Sequence, residues 1–190
     1  MTDSMRANIL LAAKDLIQQR GVNGVSFQEI SDAVGIKKAS LYHYFSSKEE
    51  LICELIGHCQ DLYGEAYNKI ALGKDPGIEK LSKLARLFED GLEGGKACFI
   101  GMVGAERESL ALKPQRAIEK SIQQILAIIQ EIFEQGKRDH TIRCNADPSH
   151  MALMFLAFLQ GGQLSARARG GKKTFRQMTN AMLEMLKVQG

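Results

Sequence analysis

The sequence SFQEISDAVGIKKASLYHYFSSKEEL, residues 26–51, decides the fold of this chain. Ser26 followed three residues later by Glu29 is a capping box, in which each side chain bonds to a backbone amide at the start of a helix. A helix is therefore predicted from Phe27, and Gly35 stands where a left-handed residue would end it. Helical spacing places four apolar residues on its inward face: Phe27, Ile30, Ala33 and Val34.

A second short helix follows a turn of only two residues, 36–37. It can run from Lys38 to about Phe45. Its inward residues are Leu41, Tyr44 and Phe45, and its outward residues are Lys38, Ser40, Tyr42 and His43. A helix, a glycine turn and a short helix with polar residues near its start describe a helix-turn-helix, whose second helix enters the major groove of DNA. Ser47 with Glu50 repeats the capping signal and predicts the start of another helix.

This stretch resembles the N-terminal signature of the TetR family of transcriptional repressors. The resemblance extends upstream through ILLAAKDLIQQRGVNGVSFQEI and so covers residues 9–51, whereas the remaining chain is similar to the family only in its helical layout. It implies an all-α fold of about nine helices, with a DNA-binding domain at 1–46 and an effector-binding and dimerisation domain at 47–190. It further implies a homodimeric repressor that a small molecule releases from a palindromic operator, although activation of transcription is an alternative.

Composition agrees with a helical protein. The chain has 190 residues, three prolines and no tryptophan. No Val/Ile/Thr-rich run alternates with period two for long enough to predict a sheet. No secretory or membrane segment is visible, because the apolar run from Met151 to Leu159 is too short to span a bilayer. We therefore expect a cytoplasmic protein.

Charge supports a DNA partner only locally. The formal net charge is +3, and within residues 1–50 six Lys/Arg are balanced by six Asp/Glu. Between Gly35 and Lys48, however, there are three lysines and no acid, which is the sign needed to displace the counterions of phosphates. A charge run alone is usually a solvated face. The helix-turn-helix pattern and the resemblance therefore carry the prediction of DNA binding.

The resemblance also assigns roles to individual residues. Lys48 lies in the first turn of the next helix, where its ammonium and the free amides can hold a phosphate. Tyr42 offers its hydroxyl to a phosphate or simply packs, and His43 reaches a base or is a solvated surface residue. Ala39 allows close backbone approach or a methyl contact with thymine. The full set of expected DNA-binding residues is Ser26, Gln28, Lys37, Lys38, Ala39, Ser40, Tyr42, His43 and Lys48.

The rest of the sequence predicts the helices around this motif. A first helix runs from about Ser4 to Arg20, and the fourth runs from Ser47 to near Ile70 as a rod between the two domains. After a break at residues 73–77 comes a fifth helix, and then a sixth from Ala97 to Leu112. Pro114 opens a long helix with an isoleucine stripe at Ile118, Ile122, Ile125, Ile129 and Ile132.

The last two helices are expected to form the subunit interface. Asp147 and Pro148 supply the cap and first turn of an eighth helix that is apolar nearly all round. After a flexible basic link, residues 167–173, a narrower apolar seam follows at Phe175, Met178, Met182 and Met185. By resemblance, these helices pair across a two-fold axis in a four-helix bundle, although a purely intramolecular core is the alternative.

The effector-binding and dimerisation domain should also contain an effector pocket. By resemblance, helices four to seven enclose it, and its expected lining residues are Cys59, Tyr63, Tyr67, Phe88, Phe99, Met102 and Phe133. Each of these is also a natural core residue. An apolar and aromatic cavity would suit a hydrophobic or aromatic small molecule.

Cysteine usage suggests an alternative effector mechanism. Cys98 lies in GGKACFIGMVGAE, which is similar to a segment opening the sixth helix in one TetR subgroup, where some members use that thiol to sense oxidants or electrophiles. The rival interpretation is a small buried hydrophobe. Cys53, Cys59, Cys98 and Cys144 show no metal-binding spacing, so we expect no metal and no cofactor.

An enzyme is the rival class of protein. No nucleotide loop, GxSxG or HExxH motif is present, and Glu106 and Glu108 face apart on a helix rather than forming a catalytic pair. An all-helical enzyme would leave the outward Lys37, Lys38, Tyr42 and Lys48 unexplained. A protein-interaction adaptor that merely retains the helix-turn-helix is a third alternative, and it would predict loss of DNA affinity.

Overall fold

The computed structural model describes residues 2–143 and 145–188, with side chains from Ser4 onward. This part of the chain is helical, apart from turns, loops and one isolated antiparallel bridge between Ile142 and Lys187. Its α-helices are α1 (Thr2–Arg20), α2 (Phe27–Val34), α3 (Lys38–Tyr44), α4 (Lys48–Ala71), α5 (Gly77–Asp90), α6 (Phe99–Ala105), α7 (Leu112–Arg138), α8 (Pro148–Ala168) and α9 (Gly171–Leu186). The all-α prediction is confirmed. None of the helices described is long and apolar enough to cross a membrane.

The described chain folds as two compact units. The first unit comprises the residues up to Asp61 together with Phe99–Ser121, and the second comprises Leu62–Cys98 together with the residues from Ile122 onward. The helices α4 and α7 each contribute to both units. These units are defined by packing, whereas the predicted domains 1–46 and 47–190 are functional divisions and stay a prediction.

The start of α2 is the capping box that its sequence predicts. The backbone N–H of Glu29 donates to Oγ of Ser26 at 3.2 Å, and Oε2 of Glu29 accepts from the Ser26 N–H at 2.8 Å. Gly35 ends α2 in the left-handed region with φ +72°. The predicted inward face was wrong at Ala33, which is exposed, because the buried position is taken by Ser31, whose hydroxyl donates to the Gln28 carbonyl at 2.8 Å.

The second capping signal is only half correct. The N–H of Glu50 donates to Oγ of Ser47 at 3.1 Å, as predicted. The Glu50 carboxylate, however, accepts from the backbone and hydroxyl of Ser46, at 2.8 and 2.6 Å, one residue before the expected partner. The helix α4 nevertheless begins at Lys48, so the predicted rod is confirmed within one residue at each end.

The sixth helix is much shorter than predicted. It ends at Ala105, and a 3₁₀ turn, Arg107–Ser109, precedes α7. The backbone leaves helical geometry at Glu106, with φ −110° and ψ 19°. Two glycines, at 101 and 104, weaken helical preference in this segment. The predicted helix from Ala97 to Leu112 is therefore wrong in its second half.

The second unit has a core contributed by α5, α7, α8, α9 and the end of α4. The fully buried side chains include Leu81, Phe133, Leu159 and Phe175. The start of α5 lies directly against α7, since a Cβ added at Gly77 would be only 2.4 Å from Cα of Gly136. Close backbone approach thus requires glycine at this crossing.

The predicted flexible link before the last helix was also wrong. The helix α8 continues to Ala168 and α9 begins at Gly171, so only residues 169–170 separate them. Gly170 makes this tight turn with φ +87°. The Asp147 cap of α8 is confirmed, because its carboxylate accepts from the Ser149 N–H at 2.8 Å. Of the predicted seam on α9, Phe175 is buried and Met185 is exposed.

Candidate nucleic-acid interface

The outward face of α3 presents the polar residues that the sequence predicts. Lys37, Lys38, Ala39, Tyr42 and His43 are exposed, and Ser40 is half-buried. On the opposite side of the helix, Leu41 and Phe45 are fully buried in the first unit. The recognition helix is therefore anchored by two apolar side chains and leaves its cationic face open to a partner.

Tyr42 packs against α2 and is nevertheless half exposed, and its contact with a phosphate stays a prediction. Its ring packs on Phe27 with 5.1 Å between ring centroids, yet half of the residue remains exposed. Packing against α2 restricts the ring, so its hydroxyl can be presented in a defined direction. Ser26 and Gln28 also lie on exposed positions, but Gln28 donates to Asp32 at 2.8 Å and Ser26 is engaged in its cap.

A residue that sequence reasoning missed holds the end of α3. The guanidinium of Arg6 donates to the Tyr44 carbonyl at 2.7 Å and forms a two-point ion pair with Glu54 on α4. Its central carbon lies 4.3 Å from the centroid of the Phe45 ring. Hydrogen bonding to Glu54 raises the pKa of Arg6 above its ordinary value. Arg6 therefore ties α1, α3 and α4 together.

Lys48 lies in an acidic setting within the first unit. It is half-buried at the start of α4. Burial lowers the pKa of its ammonium, while the carboxylates of Glu106 and Glu29 act in the opposite direction. A crevice of about 140 Å³ adjoins it, lined by apolar and small polar residues that include Val22, Asn23, Ile52, Ser109, Leu110 and Pro114.

The predicted effector residues divide between the two units. Tyr67, Phe88 and Phe133 lie in the core of the second unit, and the half-buried Tyr63 packs against it. Tyr67 stacks on Phe88 with ring centroids 6.5 Å apart. Tyr63 also stacks on Tyr67, with ring centroids 6.4 Å apart. Cys59, Phe99 and Met102 belong to the first unit. Their role in binding an effector stays a prediction.

Cys98 immediately precedes α6 and is half-buried. Its N–H donates to Oε1 of Gln163 at 2.7 Å, and Nε2 of Gln160 lies 3.8 Å from its sulfur. Its role as a redox sensor stays a prediction. Within residues 2–143 and 145–188, no group of three or more His, Cys, Asp or Glu side chains could hold a metal ion. Cys144 lies outside the described residues.

Two family models match most of this chain. The model for bacterial regulatory proteins of the tetR family matches residues 9–55, and the tetracyclin repressor-like C-terminal domain matches residues 77–182. The Escherichia coli K12 transcriptional repressor NemR is 23% identical over 183 residues, which cover 93% of this chain and 89% of NemR. These matches extend the likeness well beyond the helix-turn-helix.

Solved structures are similar over nearly the whole chain. A TetR-family regulator from Agrobacterium tumefaciens is 25% identical, with a TM-score of 0.93 over 99% of this chain and 100% of that one. The regulator AibR, solved in complex with isovaleryl coenzyme A and operator DNA, is 26% identical, with a TM-score of 0.74 over 96% of this chain and 98% of its own.

An exposed cationic recognition helix, set in a helix-turn-helix and followed by a helical C-terminal domain, defines the class of one-component transcription regulators. Both family models and the similar structures agree with this class. The chain belongs to the TetR family of bacterial regulatory proteins.

Proposed function

We propose that this protein is a homodimeric repressor that binds a palindromic operator and is released from it by a small molecule. The exposed basic face of α3, anchored by buried Leu41 and Phe45, is the observation that carries the proposal. Lys37, Lys38 and Lys48 contact phosphates, and Tyr42 donates its hydroxyl to another phosphate. Ser40 and His43 reach base edges. Since the partner is chromosomal DNA, we place the protein in the cytoplasm.

A second copy of the chain completes the DNA-binding surface. Four large apolar residues, Leu153, Met154 and Leu164 on α8 and Met185 on α9, are each more than half exposed. Pairing of these faces across a two-fold axis would bury them and produce two recognition helices. Spaced by roughly 34–36 Å, about one turn of DNA, these helices fit successive major grooves of a palindrome.

The effector acts by shifting the population between two arrangements of the DNA-binding domains. A coupling of about 1–3 kcal/mol is sufficient if the effector binds the non-DNA arrangement more tightly. The aromatic stack of Tyr63, Tyr67 and Phe88 supports a hydrophobic or aromatic ligand. AibR was solved in complex with isovaleryl coenzyme A, and this similarity supports an organic effector for the present protein as well.

The DNA contacts can be tested without knowledge of the operator. Duplexes are selected from a random-sequence pool with the wild-type protein, and affinity is measured over a range of salt concentrations. Lys48→Met should weaken binding about tenfold and reduce the slope of log affinity against log salt by about 0.9, since one phosphate contact is lost. Tyr42→Phe should weaken binding by a smaller factor, because it removes only one neutral hydroxyl contact.

Lys137→Met is the matched control, because Lys137 is an exposed lysine near the end of α7 in the second unit. It should leave the salt slope unchanged. A wild-type protein that enriches no duplex, or a Lys48 variant with unaltered affinity and slope, would contradict the proposed DNA-binding role.

A further inference from the structure

The segment after α6 is bonded to the loop that leads into α2. Oε2 of Glu106 accepts from the backbone N–H of Asn23 at 2.6 Å, and Nδ2 of Asn23 donates to Oγ of Ser109 at 3.0 Å. Asn23 stands three residues before Ser26, which caps α2. Both groups of residues lie within the first unit. Two hydrogen bonds thus fix the backbone at the entrance to the helix-turn-helix.

The contact between Glu106 and the loop depends on the backbone conformation of Gly21. Gly21 has φ +79°, and a Cβ added to it would lie 2.0 Å from Oε1 of Glu106. Only glycine both adopts this conformation easily and leaves room for the carboxylate. The Glu106 carboxylate therefore lies against Gly21, the residue after α1, and two residues further along the chain it accepts the hydrogen bond from Asn23.

The same carboxylate acts on the proposed phosphate contact of α4. Glu106 is one of two acidic residues that favour the charged form of Lys48. Lys48 and Asn23 line one crevice together with Ser109. Glu106 thus acts on two parts of the first unit: it accepts a hydrogen bond from the loop before α2, and its charge favours the charged form of Lys48 in the first turn of α4.

We propose that Glu106, which directly follows α6, is a positioning residue for DNA binding that holds the loop before α2 in the conformation from which the helix-turn-helix begins. This inference rests on the proposed function. Glu106 touches no DNA in this arrangement and works through Asn23. Displacement of its carboxylate releases the loop and lowers operator affinity.

The test separates the contact of Glu106 from its charge. Glu106→Asp keeps the charge but shortens the side chain by about 1.5 Å, so the bond to Asn23 is lost. Glu106→Gln removes the charge but keeps an oxygen that can accept from the Asn23 N–H. On duplexes selected by the wild-type protein, Glu106→Asp should bind about tenfold more weakly, as expected for one charge-assisted hydrogen bond. Glu106→Gln should stay within about threefold of wild type.

Glu108→Gln is the charge control, because Glu108 lies on the 3₁₀ turn that directly follows Glu106 and pairs with Arg107 at the surface. It should bind slightly more tightly or equally. Amide exchange gives a local readout: the Asn23 N–H should exchange faster in Glu106→Asp and at an unchanged rate in Glu108→Gln. If Glu106→Asp does not fold, Ser109→Ala, which removes the side-chain contact of Asn23 and the hydroxyl bond to the Glu106 carbonyl but leaves the Glu106 carboxylate in place, should weaken binding about threefold.

Wild-type affinity in Glu106→Asp, or in Ser109→Ala if that variant is needed, would overturn the inference. So would equal strengthening by Glu106→Gln and Glu108→Gln with no effect of Glu106→Asp, because long-range charge would then explain the result. These outcomes leave DNA binding by the wild-type protein intact. Failure of the wild-type protein to select any duplex would instead overturn the proposed function.

Discussion

Lys80 is a buried lysine whose hydrogen bonds go to neutral oxygens. Only 2% of it is exposed, and its ammonium donates to the carbonyl of Ala71, the last residue of α4, and to Oε1 of Gln135 on α7. Gln135 in turn donates to the Asp75 carbonyl at 3.2 Å. One side chain thereby joins the end of α4, the loop that follows and α7 in the second unit.

Replacement of Lys80 should destabilise the protein more than replacement of a surface lysine. Lys80→Met keeps much of the volume but leaves the Ala71 carbonyl and Gln135 without their donor. The free energy of unfolding should fall by about 1–3 kcal/mol, because unpaired buried polar groups lose their solvation without replacement. Urea unfolding followed by circular dichroism measures this change.

Lys83→Met is the control for this experiment. Lys83 lies one turn further along α5 and pairs with Asp75 at 2.6 Å, but its side chain is well exposed. A surface ion pair contributes about 0–1 kcal/mol, so this variant should remain close to wild type. An equal fall in the free energy of unfolding in the two variants would show that the buried hydrogen bonds of Lys80 stabilise the protein no more than the surface ion pair of Lys83.

At the scale of elements, three helices begin with a carboxylate that accepts hydrogen bonds from serine. Backbone and side-chain hydrogen bonds from Ser26 lower the pKa of Glu29, to which Arg20 also contributes. Bonds from Ser46 lower the pKa of Glu50 at the start of α4. Bonds from Ser149 likewise lower the pKa of Asp147 at the start of α8. The charged form of each carboxylate is the one that fits the helix terminus.

These shifts predict that the protein loses stability in acid. A carboxyl group with a lower pKa in the folded state binds fewer protons than it does when unfolded, so its contribution is complete above the unfolded value, near pH 4–5. It is lost as the pH falls through the lower folded pKa. The free energy of unfolding should therefore decline from about pH 5 to pH 3, as measured by urea unfolding at each pH.

Ser26→Ala should make the protein less stable at neutral pH and reduce the decline in acid, because it removes the hydroxyl partner of the Glu29 carboxylate. Ser82→Ala, in the middle of α5, is a control serine that caps no helix. An acid profile for Ser26→Ala that is parallel to that of wild type would contradict the link between the capping box and the acid response.

At the scale of the whole molecule, the exposed apolar faces of α8 and α9 are the features that bear on its assembly with a second copy. Both helices bury one side in the core of the second unit, through residues such as Phe155, Leu159 and Phe175. Their other sides expose Leu153, Met154, Leu164 and Met185. Exposure of several large apolar residues on adjacent helices is typical of a protein interface. It supports pairing with a second copy.

A charged residue on this surface should separate the subunits. Met154→Glu or Leu164→Glu would bury a carboxylate in the proposed interface, and sedimentation should show a shift from dimer to monomer mass. DNA affinity should fall by more than about a hundredfold, because a monomer reads only one half of a palindrome. Helical content should stay unchanged.

Leu112→Glu serves as the control, since Leu112 is an equally exposed leucine at the start of α7 in the first unit. It should leave the mass unchanged. If Met154→Glu and Leu164→Glu both retain the wild-type mass, the proposed interface is wrong.

Much of the fold could be predicted because its signals are local. The Ser26–Glu29 box, the Gly35 stop and the Asp147 cap each depend on residues at most four positions apart, and each lies where its pattern indicates. The same holds for α3, whose apolar residues at Leu41 and Phe45 leave the polar face outward. The helix-turn-helix and the outward polar face of α3 follow from these short-range patterns, whereas the class of protein was predicted from the resemblance of residues 9–51 to a known family.

Local patterns failed where a distant partner competes with them. The predicted sixth helix does not continue past Ala105, because Glu106 leaves helical geometry and bonds to Asn23, 83 residues earlier. Ala33 lies on the predicted apolar stripe but is exposed, and the hydroxyl of Ser31 is buried instead. Lys80 shares the apolar stripe of α5, and no sequence pattern distinguishes a buried lysine from a misplaced one.

The amino-acid sequence alone was thus sufficient to predict an all-helical protein with a helix-turn-helix and an outward cationic face on α3, because capping and helical periodicity act over one or two turns. Its class as a regulator was predicted from the family resemblance of the same segment. Only the folded chain brings Arg6 to Glu54, Asn23 to Glu106 and Gln163 to Phe88, pairs separated by 48 to 83 residues. Such pairs follow from how helices pack, which leaves no periodic trace in the sequence. The predicted DNA-facing side of α3 is accordingly a property of a short segment, whereas the long-range contacts are properties of the tertiary structure.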